Sequence, residues 1–223
     1  MIMSEYKIKG AIFDMDGLLI DTEKLYLKYW KKAAADFGYD MQDEHVFAIR
    51  SLSRTYSIPK LKGFFGEDFP TEEVRSRRTQ YIAAHIEEHG IDVKKGMFEL
   101  LDFLRENGIK LAVATSTDRS RTLLYLNKIG AADRFDAIIC GDMVKIGKPD
   151  PDIYLTAAEA LGLEPGECAA FEDSPNGIIS ASSAGCKAIM IPDMTEPEEE
   201  LLSLLSGVYR DLEQAEDFFK GRM

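Results

Sequence analysis

The chain has 223 residues, which is enough to bury a full core in one domain or in one domain with an inserted module. Its net charge of −12 excludes an ordinary nucleic-acid-binding protein, because phosphate backbones are bound by basic surfaces. Three widely spaced cysteines exclude a zinc-finger motif and a disulfide framework, and residues 1–9 lack the apolar core of a signal peptide. No apolar run is long enough for a membrane span, so we expect a cytoplasmic protein with neither a nucleic-acid nor a membrane partner.

Short apolar runs recur along the chain, each followed by polar residues or glycine and then by a helical pattern. Runs without polar alternation are typical of parallel strands that are buried on both faces. The predicted strands are residues 11–13, 111–114, 137–140, 169–171 and 188–191. The pattern predicts an α/β fold, a Rossmann-like open parallel sheet with helices on both faces.

A helical insert interrupts this alternation after the first strand. Residues 23–92 carry helical patterns and no convincing strand, with one helix opening near Thr22 and another at Thr71. A connection of this length is too long for an ordinary loop. We therefore expect an inserted α-helical cap domain, residues 23–92, and an α/β core formed by residues 1–22 and 93–223.

Helical patterns also separate the later strands. They are predicted over residues 96–107, 150–162 and 174–185, with a proline in the first turn of the last two. Glycine ends or directly follows each of these patterns, as is typical of helix C-termini.

Polar side chains follow four of the predicted strands. Asp14 and Asp16 come after the first strand and residues 115–117 (Thr-Ser-Thr) after the second, Lys148 lies in a loop beyond the third, and residues 172–173 (Glu-Asp) follow the fourth. In open α/β sheets ligands bind outside the carboxyl ends of the strands, so we expect these groups to share one cleft. Two carboxylates on one side of a strand repel each other unless a proton or a cation lies between them.

This set of side chains suits phosphoryl transfer. Asp14 and Asp173 can bind Mg²⁺, which prefers carboxylate, phosphate and water oxygens. A hydroxyl and a lysine can hold the nonbridging phosphate oxygens. A carboxylate in line with phosphorus can attack it to give an aspartyl-phosphate, while a neighbouring acid protonates the leaving oxygen.

Four segments resemble the signature motifs of the haloacid dehalogenase superfamily, in its phosphatase and β-phosphoglucomutase-like branch. They are DMDGLLID (14–21), Thr115, GKPDP (147–151) and EDSPNG (172–177). The resemblance covers essentially the whole chain and implies a helical cap inserted after the first motif.

The resemblance also implies a role for each motif residue. Asp14 would be the nucleophile and Asp16 the general acid and base. The transferring phosphoryl group would be bound by Thr115, its neighbour Ser116 and Lys148. Mg²⁺ would be held by Asp14, by the backbone carbonyl of Asp16 and by Asp173, with Glu172 close by.

Asp16 favours phosphate esters over the other substrates of this superfamily. The resemblance implies that dehalogenases and phosphonatases lack this second aspartate. A phosphosugar mutase stays open as the alternative, because it would use the same aspartyl-phosphate. Tyr26 and Ser51 stand where β-phosphoglucomutases have a histidine and a glycine, so we favour a phosphatase. A non-catalytic phosphate-binding module is the least favoured alternative, since every catalytic residue type is retained.

The cap is expected to select the substrate, a small phosphorylated metabolite. The stretch from Arg50 to residue 66 contains basic residues and no acid, which could attract an anion, although a solvated helix face explains it equally well. Together with Tyr26, Arg50 and Arg54 are the candidate specificity residues, and we expect Arg54 to matter more than Arg75. We expect the protein to be a monomer.

Overall fold

The structure, a computed structural model, describes residues 7–222 of the chain. Its strands are β1 (Gly10–Phe13), β2 (Lys110–Thr115), β3 (Ala137–Cys140), β4 (Cys168–Glu172), β5 (Lys187–Met190) and β6 (Gly207–Val208). They form one sheet in the order β3-β2-β1-β4-β5-β6, and all neighbouring strands are parallel. Each of the five predicted runs coincides with a strand. The two-residue β6 contains no apolar run and was therefore not predicted.

Ten α-helices accompany the sheet within the described residues. They are α1 (Glu23–Asp36), α2 (Asp43–Phe47), α3 (Arg54–Phe65), α4 (Thr71–His89), α5 (Met97–Glu106), α6 (Arg119–Lys128), α7 (Asp152–Leu161), α8 (Pro175–Ser183), α9 (Glu199–Leu202) and α10 (Leu212–Ala215). Within residues 7–222, none of these helices is both long and apolar enough to cross a membrane.

The sheet is buried on both faces, as the apolar runs predicted. Successive side chains of β1 point to opposite faces, so that Phe13 belongs to one apolar cluster and Ile12 to another. Phe13 stacks on Phe171 of the adjacent strand β4, with 4.8 Å between the ring centroids. Helices therefore cover both faces of a parallel sheet, and the predicted α/β fold class is confirmed.

Helices α1–α4 lie between β1 and β2 in the chain and share an apolar cluster of their own. Trp30, Val46, Leu61 and Val74 are among its buried members. The sequence predicted α1 and α4 but not the two shorter helices between them. Five residues give too little periodicity to reveal α2, and Pro59 lies inside α3, where a proline usually ends a helix.

The loop between α2 and α3 contacts the carboxyl edge of the sheet directly. The backbone N–H of Ser53 donates to the carbonyl of Lys148 over 3.0 Å. Ser116 Oγ donates to the carbonyl of Ser51 over 2.9 Å, and Asn176 Nδ2 donates to that of Arg50 over 2.9 Å. These contacts hold the loop against the strand ends.

Candidate active site

The first two candidate residues lie directly after the central strand β1. Asp14 and Asp16 are both buried, and the chain turns at Gly17 with φ of 84°. A Cβ atom at Gly17 would lie 2.2 Å from Asp173 Oδ2, which is closer than any such contact allows. Glycine is therefore required here both for the turn and for the close approach of the β1 and β4 ends.

Lys148 links the carboxylates beneath the site. Its side chain is fully buried, and Nζ donates to Asp14 Oδ1 over 2.5 Å, to Glu172 Oε1 over 2.6 Å and to the carbonyl of Ala114 over 2.8 Å. All three ammonium protons thus have acceptors. Burial alone lowers the pKa of Lys148, but the charges of Asp14 and Glu172 outweigh it, so that the net shift is upward and the lysine stays charged.

Asp16 is oriented by threonines and not by the lysine. Thr22 Oγ1 donates to Asp16 Oδ1 over 2.7 Å, and Thr117 Oγ1 donates to Asp16 Oδ2 over 2.8 Å. The hydroxyl of Thr115 lies 3.5 Å from Asp16 Oδ2 and accepts from the backbone N–H of Thr117. The two aspartates are therefore held differently, one in an ion pair and one between neutral hydroxyls.

Carboxylates outnumber cations at the strand ends. Burial raises the pKa of Asp14 well above its usual range, Lys148 opposes this, and the neighbouring carboxylates add to it. Burial also raises the pKa of Asp173 well above its usual range. Burial likewise raises the pKa of Glu23, which lines the same cavity, to about 8. A divalent cation is the species that offsets an excess of buried negative charge.

The carboxylates that could hold a metal lie together. One oxygen each from Asp14, Glu172 and Asp173 fall within 4.8 Å of one another. Asp173 Oδ1 is buried without a hydrogen-bond partner among the described residues, while Oδ2 accepts from Arg50 over 2.9 Å. Asp173 therefore keeps one buried oxygen free, and the donor set is the all-oxygen kind that Mg²⁺ prefers.

Both carboxylate oxygens of Glu172 accept hydrogen bonds from the protein, which the sequence did not predict. Its Oε1 accepts from Lys148 and, over 2.5 Å, from the hydroxyl of Tyr154, and its Oε2 accepts from Ser174 over 3.3 Å. Both oxygens are thus already engaged with protein donors. Tyr154 lies on α7, and no motif in the sequence pointed to it.

A cavity of about 100 Å³ lies above these groups and is lined by Asp14, Asp16, Thr115 and Ser116. Lys148 is buried beneath it, in contact with Asp14. The structure thus brings together all the residues that the motifs predicted.

Of the three candidate residues of the cap, two line the cavity and one lies outside it. Tyr26 lines the cavity. Arg50 also lines the cavity, and its buried guanidinium donates to the side chain and the backbone carbonyl of Asp173, one of the candidate metal ligands. Arg54 lies outside this cavity, in a wider adjoining cleft, where its side chain is 70% exposed and pairs with Glu72 over 3.2 Å.

The cavity is also lined by three arginines that the sequence analysis did not propose as specificity residues. Arg75 and Arg78 come from α4 and Arg121 from α6. Arg75 lines this cavity and Arg54 does not, and the expected order of their effects, with Arg54 ahead of Arg75, stays a prediction. The spacing of Arg75 and Arg78, three residues apart beside the buried Val74, was an available signal, but exposed helix faces carry arginines at the same spacing.

The family model for haloacid dehalogenase-like hydrolases matches residues 11–191, which include all four strand-end groups. The chain belongs to the haloacid dehalogenase-like hydrolase family. The resemblance that the four motifs indicated is thereby confirmed.

Relatives within this family cover most of the chain. A phosphorylated carbohydrates phosphatase from Thermotoga maritima is 33% identical over 182 residues, which are 82% of this chain and 84% of that protein. A β-phosphoglucomutase from Bacillus subtilis is 29% identical over 82% of both chains. The crystal structure of β-phosphoglucomutase from Clostridium difficile has a TM-score of 0.80 and 25% identity, over 96% of this chain and 98% of that one.

Proposed function

We propose that this hydrolase is a Mg²⁺-dependent phosphatase that cleaves a small phosphate monoester, a sugar phosphate or a nucleoside monophosphate, through an aspartyl-phosphate. The observation that supports the proposal most directly is that two neighbouring carboxylates have different partners. Asp14 is ion-paired to Lys148 at the cavity floor, and Asp16 is held by Thr22 and Thr117 beside it. One carboxylate can attack while the other transfers the proton.

In the first step an oxygen of Asp14 attacks phosphorus, and the bond from phosphorus to the ester oxygen breaks. Asp16 donates its proton to that leaving oxygen. In the second step Asp16, now ionised, accepts a proton from water, and the water oxygen attacks the phosphorus of the aspartyl-phosphate. Inorganic phosphate leaves and the Asp14 carboxylate is restored. Thr115 and Ser116 hold the nonbridging oxygens throughout, and Lys148, whose three protons are on Asp14, Glu172 and the carbonyl of Ala114, offsets negative charge from beneath Asp14.

We propose Asp14, Asp173 and the backbone carbonyl of Asp16 as the Mg²⁺ ligands. When bound, the ion offsets negative charge on the phosphoryl oxygens. The free buried oxygen of Asp173 and the excess of carboxylates support this assignment. Because both oxygens of Glu172 already accept hydrogen bonds, we assign it to positioning Lys148 and to adding negative charge near the ion.

Mg²⁺ is expected to stabilise the folded protein, since the ligands converge only in the native state. At a free concentration 100 times Kd the gain is about 2.7 kcal/mol, which for a chain of this size raises Tm by roughly 5–10 °C. Asp173→Asn should remove most of this shift, and Asp133→Asn, an exposed aspartate far from the cavity, should retain it. Differential scanning calorimetry checks this without turnover, and an undiminished shift in Asp173→Asn would exclude the assigned site.

The phosphatase and the mutase differ in what accepts the phosphoryl group from Asp14. Similarity to β-phosphoglucomutases supports the mutase as the second candidate. Against it, burial raises the pKa of the Tyr26 phenol in the cavity, so that this side chain stays protonated where an imidazole could exchange protons near neutral pH.

A direct assay separates the two activities. Release of inorganic phosphate is measured over sugar phosphates and nucleoside monophosphates, with glucose 1-phosphate followed both for hydrolysis and for conversion to glucose 6-phosphate. We expect Mg²⁺-dependent hydrolysis and no interconversion. Interconversion faster than phosphate release would instead establish the mutase.

A further inference from the structure

Three arginines form a second polar centre at the mouth of the catalytic cavity. Arg75, Arg78 and Arg121 line the cavity that holds Asp14 and Asp16. The same three line a wider adjoining cleft of about 830 Å³ between the helical insert and the core. They therefore lie where the inner cavity meets the cleft, in the path of whatever part of a substrate extends outward from Asp14.

Each guanidinium group of this cluster has a buried N–H that no protein acceptor satisfies among the described residues. Arg78 is only 7% exposed, and its Nε has no hydrogen-bond partner among the described residues. Arg75 Nε and Arg121 Nη1 are likewise buried without a partner there. Buried N–H groups of a cation are costly when unpaired, so that a site retaining three of them is suited to an acceptor from outside the chain.

Positive charge in the cluster is also incompletely balanced. Arg121 pairs with Asp118 over 2.6 Å, whereas neither Arg75 nor Arg78 forms an ion pair with a residue of the described segment 7–222. Burial, followed by the charges of its neighbouring arginines, lowers the pKa of Arg75 to about 10. The carboxylate that acts on Arg75 is Glu72, which already pairs with Arg54 over 3.2 Å. The charge of Asp16 acts on Arg78 and Arg121, but both of its oxygens already accept from threonine hydroxyls.

Aromatic rings hold two of these guanidinium groups in place. Arg78 lies over Trp30 and Tyr26, at 4.6 Å and 4.9 Å from the ring centroids, and Arg75 lies over Trp30 at 5.3 Å. Stacking on a ring uses the face of a guanidinium and leaves its N–H groups, which lie in the plane, for oxygen acceptors. The cluster is thus preorganised for an anion.

We propose that Arg75, Arg78 and Arg121 bind a second anionic group of the substrate, a phosphate or a carboxylate remote from the phosphoryl group that reacts at Asp14. The proposal rests on the phosphatase function and narrows its substrates to metabolites that carry an anion at each end. Planar guanidinium groups match the oxygens of either anion in pairs. Binding energy gained at this remote end can be used to orient the reacting phosphoryl group.

Turnover of matched substrates tests the proposal. Glucose 6-phosphate, 6-phosphogluconate and glucose 1,6-bisphosphate share a six-carbon skeleton whose remote end is neutral, a carboxylate or a phosphate. We expect kcat/KM for at least one of the two doubly anionic compounds to exceed that for glucose 6-phosphate by on the order of tenfold to a hundredfold, as for charge-assisted hydrogen bonds. The compound with the higher kcat/KM shows whether the second anion is a carboxylate or a phosphate. Equal kcat/KM for all three would overturn the proposal.

Variants assign the preference to the cluster. The relevant ratio is kcat/KM for the preferred doubly anionic compound divided by kcat/KM for glucose 6-phosphate. Arg78→Gln should lower this ratio at least about tenfold. Arg121→Gln, on the core side of the cluster, should lower the ratio in the same way. It replaces Arg78→Gln in the test if that variant unfolds through loss of its contact with Trp30. Arg77→Gln is the matched control, because Arg77 is adjacent on α4 and half exposed on its outer side. A ratio that survives both Arg78→Gln and Arg121→Gln contradicts the assignment.

A binding measurement keeps this test independent of the phosphatase function. Trp30, the single tryptophan of the chain, lies directly against Arg75 and Arg78 and reports on the cluster. Fluorescence titration of Asp14→Asn should give tighter binding of a doubly anionic compound than of glucose 6-phosphate, and Arg121→Gln should remove the difference. Absence of any turnover would refute the phosphatase alone, whereas equal affinities would refute the second anion site.

Discussion

Asp14→Asn is expected to reduce the Mg²⁺-dependent hydrolysis of p-nitrophenyl phosphate by roughly 10⁴-fold or more, as for loss of other covalent nucleophiles. The amide oxygen that replaces the carboxylate is a poor nucleophile, so the aspartyl-phosphate cannot form. The buried site tolerates the change in shape because asparagine is isosteric with aspartate. Initial rates and an acid-quenched search for the phosphoenzyme by mass spectrometry check the prediction.

Two comparisons make the result specific to the nucleophile. Circular dichroism should show that Asp14→Asn remains folded, since Lys148 keeps Glu172 and the carbonyl of Ala114 as acceptors. Asp133→Asn, the same chemical change at an exposed position, should retain the wild-type rate. Turnover by Asp14→Asn close to that of the wild type would remove Asp14 from the mechanism.

Lys148→Met should cost both stability and activity. The lysine is fully buried between Asp14 and Glu172, and its removal leaves two carboxylates in the interior without their cation. Breaking a buried pair in this way destabilises a protein by about 3–5 kcal/mol. Urea unfolding measures this loss, and the loss of phosphatase activity accompanies it because the phosphoryl oxygens lose their buried cation.

A double variant separates the two effects. Lys148→Met combined with Glu172→Gln removes one of the unpaired charges and should recover part of the stability without recovering activity. Lys145→Met, at an exposed position in the same loop, should change stability by less than about 0.5 kcal/mol. If Lys148→Met were as stable as Lys145→Met, the buried network would not contribute as described.

The sign of the pH dependence follows from the direction of the shift. Ion pairing raises the pKa of Lys148 above its unfolded value of about 10.4. A folded-state pKa above the unfolded one gives a stabilisation that is fully present below the unfolded value and declines as pH rises through the folded one. The contribution of Lys148 therefore persists through the neutral range.

Local patterns in the sequence predicted most of the fold. The five longer strands were visible because a parallel strand buried on both faces must be apolar at successive positions, whatever lies around it. The sequence did not predict helices α2, α3, α6 and α10 or the strand β6, and α2 and α3 were missed because their formation depends on packing. Pro59 lies inside a helix that is held in place by the buried side chain of Leu61.

The core of the site was predictable for a related reason. Parallel strands bring their carboxyl ends to one edge, so that residues directly after strands meet even when they are far apart in the chain. Asp14, Lys148 and Asp173 were placed together on that ground, and the structure has Lys148 Nζ 2.5 Å from Asp14 Oδ1 across 134 residues. Arg50 lines the same cavity with its guanidinium on Asp173, and its role in specificity stays a prediction.

The sequence by itself thus determined the fold class, the family and the four strand-end groups, because apolar periodicity, turn residues and strand ends are local properties. Only the tertiary structure decided that Thr117 holds Asp16, that Tyr154 binds Glu172, and that Arg78 rather than Arg54 lines the cavity. These roles depend on which face of a helix is buried against which neighbour. That choice is made by packing between separate segments, 101 residues apart for Thr117 and Asp16 and 18 for Tyr154 and Glu172, and no short pattern records it.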